Sequence, residues 1–408
     1  MTEARSRDEV ADWATDFDHF DQGFVDDPYP IFADLRDRCP VAHTNRYGGA
    51  NMLTTFEDVA EAAHDTERFT SRRIIMSETP TDRRGIILWP INLDPPEHSD
   101  PRRIMLPFFN PTNTMRWESV IREICTGRMD AISDQVVAGA TTCDLANDYA
   151  KHVPGDLTAR MFGVPSTEAD MFRGWIHDLL EVGPTNEELE RQTTHAMLEY
   201  MHGLIAERRE NPGDDLVTYL LNQTIDDEPL TDESMAKMLF LLLVAGIDTT
   251  WSGLGSSFLH LATNPDDRRR LVAEPELIPT ATEEFLRAYS PVSVARIATE
   301  DTELGGCPVK EGEWVMLGFP AANRDPEMFD EPEKVQIDRS KNRHAAFGLG
   351  VHRCLGSNLA RLEMNVAIEM WLERFPEFTL VADADVTYSA GNVRGPRSVP
   401  VTLGGDLR

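Results

Sequence analysis

The chain of 408 residues is 41% hydrophobic and 27% charged, enough apolar material for one large core, and its 26 Gly and 26 Pro are scattered rather than gathered into a linker. Seventy acidic against 39 basic residues leave a net charge of −31, which repels nucleic acid and anionic lipid and excludes both as expected partners. Five widely spaced cysteines with no Cys-x-x-Cys pair exclude a disulfide framework and a thiolate zinc site.

At the N-terminus, residues 1–8 are polar and carry no apolar signal core. The longest apolar run, 238–247, is far shorter than the ~20 residues of a bilayer span. A cytoplasmic protein with no membrane segment is the expectation. Short alternating stretches at 42–53, 297–304, 314–319 and 386–403 predict strands, with Gly305-Gly306 as a turn. Between them, residues 116–287 are dominated by helical periodicity, interrupted by Gly-Val-Pro at 163–165, Val-Gly-Pro at 182–184 and Asn-Pro-Gly at 211–213. The expected fold is mainly α with small β-sheets, in a single large domain.

The segment Asp94-Pro95-Pro96-Glu97-His98-Ser99-Asp100-Pro101-Arg102-Arg103 sets His98 and Arg102 four residues apart, on one face if it is helical. Pro101 is expected to interrupt that helix. Further on, Thr231 caps a pattern that starts with Asp232 and Glu233 and runs to Asn264-Pro265. Its roughly 32 residues give a central helix ~48 Å long. It is apolar on every side over 238–247 and then turns polar at Ala245-Gly246-Ile247-Asp248-Thr249-Thr250, a sequence that packing alone does not explain. Gly246 permits close approach of a flat ligand, and Thr249 can bond a carbonyl one turn back. Glu284-Phe285-Leu286-Arg287 places opposite charges on one helix face.

Near the C-terminus, Phe347-Gly348-Leu349-Gly350-Val351-His352-Arg353-Cys354-Leu355-Gly356 places one cysteine between a glycine-rich loop and a helix expected to begin at Leu355. Gly348 and Gly350 allow backbone angles closed to other residues, and Gly356 removes a side chain beside the sulfur. Backbone N–H groups, the helix dipole, Arg353 and His352 should lower the Cys354 pKa. A thiolate held this way suits a heme iron as an electron-donating axial ligand.

The run Phe347, Gly350, His352, Cys354, Gly356 resembles the heme-binding signature of the cytochrome P450 family, and that likeness extends along nearly the whole chain. It implies heme b as cofactor, with Cys354 on the iron and Phe347, Gly350, Gly356 and Gly246 beside the porphyrin. It also implies that His98, Arg102, Arg296 and His352 hold the propionates. Asp248 and Thr249 match the family's acid–alcohol pair, in which the threonine steadies oxygen and the acid relays protons. Glu284, Arg287 and Arg339 match a buried structural triad that supports the cysteine loop.

The implied reaction is monooxygenation: one atom of O2 enters a small or medium hydrophobic substrate, by hydroxylation or oxidative dealkylation. The chain after Cys354 is short for a fused reductase domain. Electrons are therefore expected from NAD(P)H through a reductase and a small ferredoxin, docked on the cysteine side by Arg103, Arg116, Arg343, His344 and Arg361. A peroxide-driven peroxygenase would carry a carboxylate that handles peroxide in place of the acid–alcohol pair, a redox-neutral heme isomerase or dehydratase needs no proton relay, and a heme-based sensor would not turn over. The likeness assigns the substrate pocket to Trp89, Ile91, Leu243, Val244, Val292, Val294 and Val393, with the 171–182 region nearby. Arg72, Arg73, Arg83 and Arg84 could anchor a substrate carboxylate.

Overall fold

The computed structural model describes residues 9–78 and 88–404, so residues 1–8, and with them the expectation of no signal core, lie outside the described residues. A five-stranded sheet has the order β1-β2-β6-β5-β3, made of β1 (Val41–Thr44), β2 (Ala50–Leu53), β3 (Phe69–Thr70), β5 (Val294–Ala298) and β6 (Trp314–Leu317). Only the β2–β6 pair is parallel, with Ala50 opposite Trp314; the antiparallel β5–β6 pair sets Arg296 opposite Val315. A second sheet joins β4 (Thr142–Asp144), β7 (Glu377–Leu380) and β8 (Pro400–Gly404) in the order β7-β8-β4.

Three strand expectations need correcting. The predicted strand stretch at 42–53 is two strands, β1 and β2, paired antiparallel around the turn Arg46–Gly48. The predicted strand at 297–304 divides, because Asp301 turns its carboxylate onto Glu311 N–H and Lys310 and ends the pairing. Thr302–Leu304 instead pairs with Cys307–Val309 in a separate hairpin, turning through Gly305 and Gly306 at φ of 53° and 78°. The predicted strand at 386–403 pairs only at isolated Tyr388–Pro396 and Val393–Val292 bridges and in β8.

The helices that position the site are α1 (Ser99–Met105), α2 (Glu118–Val137), α3 (His152–Phe162), α4 (Ala169–His177), α5 (Glu187–Glu210), α6 (Asp232–Thr263), α7 (Ile278–Ala288) and α8 (Ser357–Arg374). The central helix α6 begins as the sequence predicts: Thr231 Oγ1 accepts from Ser234 N–H at 3.1 Å. It is long and apolar enough to cross a membrane, but 72% of its apolar window is buried inside the fold, so its hydropathy serves the core. The largest apolar cluster surrounds it, with Leu239, Ile247, Leu254, Phe258 and Leu261 all inaccessible to solvent.

Pro101 does not interrupt α1. It is the third helical residue, within the first turn whose N–H groups have no partner inside the helix, so its missing donor costs nothing. Arg102 N–H bonds His98 C=O at 3.3 Å and keeps the two side chains in register. The helix after the cysteine starts at Ser357, not Leu355: Leu355 and Gly356 form a turn, and Ala360 N–H closes onto Gly356 C=O at 2.9 Å.

Candidate active site

The cysteine loop is held from below. Glu284, inaccessible to solvent on α7, accepts from Arg287 Nε at 2.8 Å, Arg339 Nε at 2.9 Å, Asn342 Nδ2 at 3.2 Å and Gln336 N–H at 2.8 Å. Arg287 also donates to the carbonyls of Asn323, Pro332 and Lys334, and Arg339 to those of Asp330, Glu331 and Lys334. One carboxylate and two guanidiniums thus tie α7 to the 323–342 segment that leads into the loop, with almost every donor used.

Above that support the loop folds back on itself, Cys354 N–H bonding Phe347 C=O at 2.7 Å. Gly348 and Gly350 take φ of 70° and 66°, and a Cβ at Gly350 would collide with the Ala63 carbonyl. Gly356 has nothing within 4 Å of a would-be Cβ, which leaves open space beside the sulfur. Burial pushes the Cys354 thiol up, against the opposing pull of Gly356 N–H, Arg102, Arg353 and Arg361. The expected fall is therefore corrected for the polypeptide alone, where desolvation outweighs the pull of these groups.

Cys354 opens onto a cavity of about 270 Å³, with Phe347 and Gly356 on the same wall and Gly246 and Thr249 of α6 also lining it. Thr249 Oγ1 donates to Ala245 C=O at 2.9 Å, the predicted back-bond, while α6 continues through it. Asp248 turns away from the cavity, lies 4% exposed and has its Oδ1 2.7 Å from Arg397. Sequence reasoning misses both Arg397 and its second partner Glu181, at 2.9 Å. Both lie far from Asp248 along the chain, and nothing local marks them.

Four nitrogen-bearing side chains gather beside the cavity. His98 Nε2 and His352 Nε2 are buried without a hydrogen-bond partner, and their rings meet edge to face at 4.4 Å. Arg296, 4% exposed, bonds Ala295 C=O and is pushed down to about 10 by burial. Arg102 donates to Arg353 C=O, and burial lowers it as well. His352 is pushed down to about 3, first by burial and then by Arg296, His98 and Arg102. A buried group of donors with orphaned nitrogens fits a ligand carrying two carboxylates, and together with Cys354 and the glycine wall it fits heme b.

Of the predicted substrate residues, Ile91, Val292 and Val294 line the cavity and Gly246 borders them. Leu243 and Val244 do not. On α6 the cavity-facing positions are Leu241, Leu242, Ala245, Gly246, Thr249 and Thr250, and Leu243 lies ~200° round the helix from Ala245. Trp89 packs against the main core beside the lining residue Pro90, and Val393 bridges Val292 and packs into the same core. No residue of the 171–182 region lines the cavity. Arg73 donates to Ser77 and lies over Trp314, Arg72 is exposed, and Arg83 and Arg84 lie outside the described residues.

Most of the proposed docking cations have partners within the fold. Arg361 and His344 both bond Glu283, Arg361 also lies 4.3 Å from the Phe347 ring, Arg103 pairs with Asp100, and Arg116 stacks on Phe108 and Trp117. Arg343 is exposed and has no ion-pair partner among the described residues.

A cysteine, a nest of propionate-type donors and a threonine-bearing central helix around one apolar cavity define a heme-thiolate oxidoreductase. Residues 47–386 match the cytochrome P450 family model, and the chain belongs to that family. Cytochrome P450 107B1 of Saccharopolyspora erythraea is 33% identical over 94% of this chain and 97% of its own. Vitamin D(3) 25-hydroxylase of Pseudonocardia autotrophica is 35% identical over 95% and 96%. Among solved structures, the polyketide synthase cytochrome P450 PksS of Bacillus subtilis superimposes with a TM-score of 0.85 at 30% identity, covering 95% of this chain and all of that one. The protein is thus a monooxygenase with heme b as its cofactor, and the family uses O2, hydrophobic substrates and redox partners.

Proposed function

We propose that this monooxygenase hydroxylates or oxidatively dealkylates a small or medium hydrophobic molecule in the cytoplasm, with NAD(P)H electrons arriving through a reductase and a small ferredoxin. The observation that carries this reading is the cavity itself: Cys354 and Thr249 line one space with an apolar wall that includes Ile91, Leu241, Leu242, Val292 and Val294. Heme b held there would supply redox iron for the reductive activation of O2, giving oxygenated substrate and water.

The polypeptide supplies the rest. Cys354 presents its sulfur to the iron, the loop glycines keep the cofactor face clear, and His98, Arg102, Arg296 and His352 bind its carboxylates. Thr249 offers a hydroxyl to oxygen, and Asp248 supplies protons behind it. Apolar walls exclude water and orient the substrate by shape. On the cysteine side, exposed Arg353 and Leu106, the latter 47% exposed, border one surface pocket with Cys354, and this surface suits an acidic ferredoxin with an apolar centre.

The test is a difference-spectrum screen of terpenoid, aromatic, fatty-acid and macrolide ligands, followed by turnover of each binder with NADH, a surrogate ferredoxin and its reductase. Oxygenated product formed in step with NADH consumption is the expected result. Product formed only with added peroxide would replace this reading with a peroxygenase, and tight binding without product from either oxidant would replace it with a sensor.

A further inference from the structure

Behind α6, away from the cavity, two carboxylates share one guanidinium. Arg397 Nη2 lies 2.7 Å from Asp248 Oδ1 and donates to Glu181 Oε1 at 2.9 Å, while Nη1 reaches Ser252 Oγ at 3.3 Å. The guanidinium carbon sits 4.2 Å from the centre of the Trp251 ring. Beyond Glu181, His177 Nδ1 lies 3.6 Å from Glu181 Oε1. The side chains become steadily more exposed along this row: Asp248 4%, Arg397 14%, Glu181 20%, His177 57%. Together they make a path from solvent to the acid.

The backbone fixes the row. A Cβ at Gly395 would collide with Ser252, and one at Gly255 would lie 3.1 Å from Pro396 Cγ, so the 395–397 turn is pressed onto α6. Arg397 N–H bonds Thr387 C=O at 2.7 Å. Glu181 and His177 come from the other side, at the end of α4 and in the adjoining π-helical turn Asp178–Val182. Three elements therefore meet at one cation.

Fully ionised, Asp248, Glu181 and Arg397 carry one net negative charge in a mostly buried place, and one bound proton neutralises them. Asp248 Oδ2 is buried and has no hydrogen-bond partner, which makes it the open seat for that proton. Burial raises the Asp248 carboxyl above its ordinary range, against the pull of Arg397, with Glu181 raising it further and His177 lowering it.

We propose that Glu181 and His177 load Asp248 with protons from solvent, and that Arg397 is the positioning residue that holds both carboxylates on one guanidinium nitrogen. The inference rests on the reading of Asp248 as the acid behind Thr249. One proton moves from Glu181 to Asp248, solvent replaces it through His177, and no electrons are involved. Arg397 stays charged throughout, because a guanidinium does not give up its proton.

The test uses the holoenzyme with surrogate ferredoxin and reductase, comparing Glu181→Gln, Arg397→Lys, Arg397→Gln and Asp248→Asn. Oxygen consumption is measured in H2O and D2O. Independently of turnover, the infrared carbonyl band that disappears in Asp248→Asn is titrated with pH in the resting holoenzyme. Glu181→Gln should slow oxygen consumption on the order of tenfold, less than the ~10²-fold expected for Asp248→Asn, and enlarge the solvent isotope effect. It should also move the Asp248 band's titration, with heme content and thiolate spectrum unchanged. Arg397→Lys should recover most of what Arg397→Gln loses; if the Gln variant does not fold, Glu181→Gln and the infrared titration decide. Wild-type rate, isotope effect and band in Glu181→Gln, alongside a slow Asp248→Asn, would overturn the loading chain and leave the role of Asp248 intact. A wild-type Asp248→Asn would instead overturn the reading beneath it.

Discussion

Asp248 and Thr249 are adjacent on α6 but face different surroundings, one a buried ion pair and the other the cavity. Their substitutions should therefore fail differently. Thr249→Ala removes the hydroxyl from the cavity wall while leaving the proton supply, so NADH should still be consumed, with most of it recovered as hydrogen peroxide. Asp248→Asn removes the acid and should slow oxygen consumption itself by ~10²-fold. Peroxide yield and oxygen uptake, measured together, separate the two; unchanged product per NADH and unchanged rate in both variants would remove the pair from the mechanism. At the same scale, Glu283 shows how the loop's neighbours are held. Burial alone would raise its carboxyl, but bonds from Arg361 and His344 outweigh burial and bring it down to about 2 from its ordinary 4.5. A depressed folded pKa gives stability that is full above the unfolded value and is lost as pH falls toward the folded one. Acid denaturation of Glu283→Gln should accordingly be flatter than wild type between those two values, and an identical acid limb would show that the pair contributes nothing.

Among the elements, the brace under the cysteine loop bears most on stability. Removing Glu284 would leave two buried guanidiniums uncompensated. Glu284→Ala should cost about 3–5 kcal/mol in chemical denaturation and lower heme content, whereas an exposed pair such as Arg103–Asp100 should cost under ~1 kcal/mol. Equal costs would mean that the brace is not the loop's support. This brace, α6 and the cysteine loop are legible in the sequence because each is marked locally: a Thr cap, an Asp-Thr-Thr break in an apolar run, glycines flanking one cysteine. Pro101 misleads because its effect depends on whether it falls in the first turn or later, and a helix boundary shifts by that much. Leu243 and Val244 are misplaced for a similar reason, since an all-round apolar helix carries no phase signal to say which side meets the cavity. Arg397 and Glu181 leave no mark at all, because their pairing with Asp248 comes from tertiary folding of three distant segments. The three-residue strand β4 is equally silent, being too short to show alternation.

Over the whole molecule, a net charge of −31 makes any attraction for an acidic electron carrier a local matter. Arg343, exposed and free of ion pairs among the described residues, is the cation left to act on it. Arg343→Ala should slow ferredoxin-dependent reduction at low salt and converge with wild type as screening shortens to ~8 Å at physiological ionic strength. Identical salt slopes with full heme content would place docking elsewhere. The central claim is that one cysteine of five turns this helical fold into a heme-thiolate enzyme. The measurement is the absorption spectrum of the reduced carbon monoxide complex of wild type and Cys354→Ser. Wild type should show the red-shifted band of thiolate ligation, and Cys354→Ser should lose it while Cys39, Cys125, Cys143 and Cys307 remain; persistence of that band in Cys354→Ser would contradict the account.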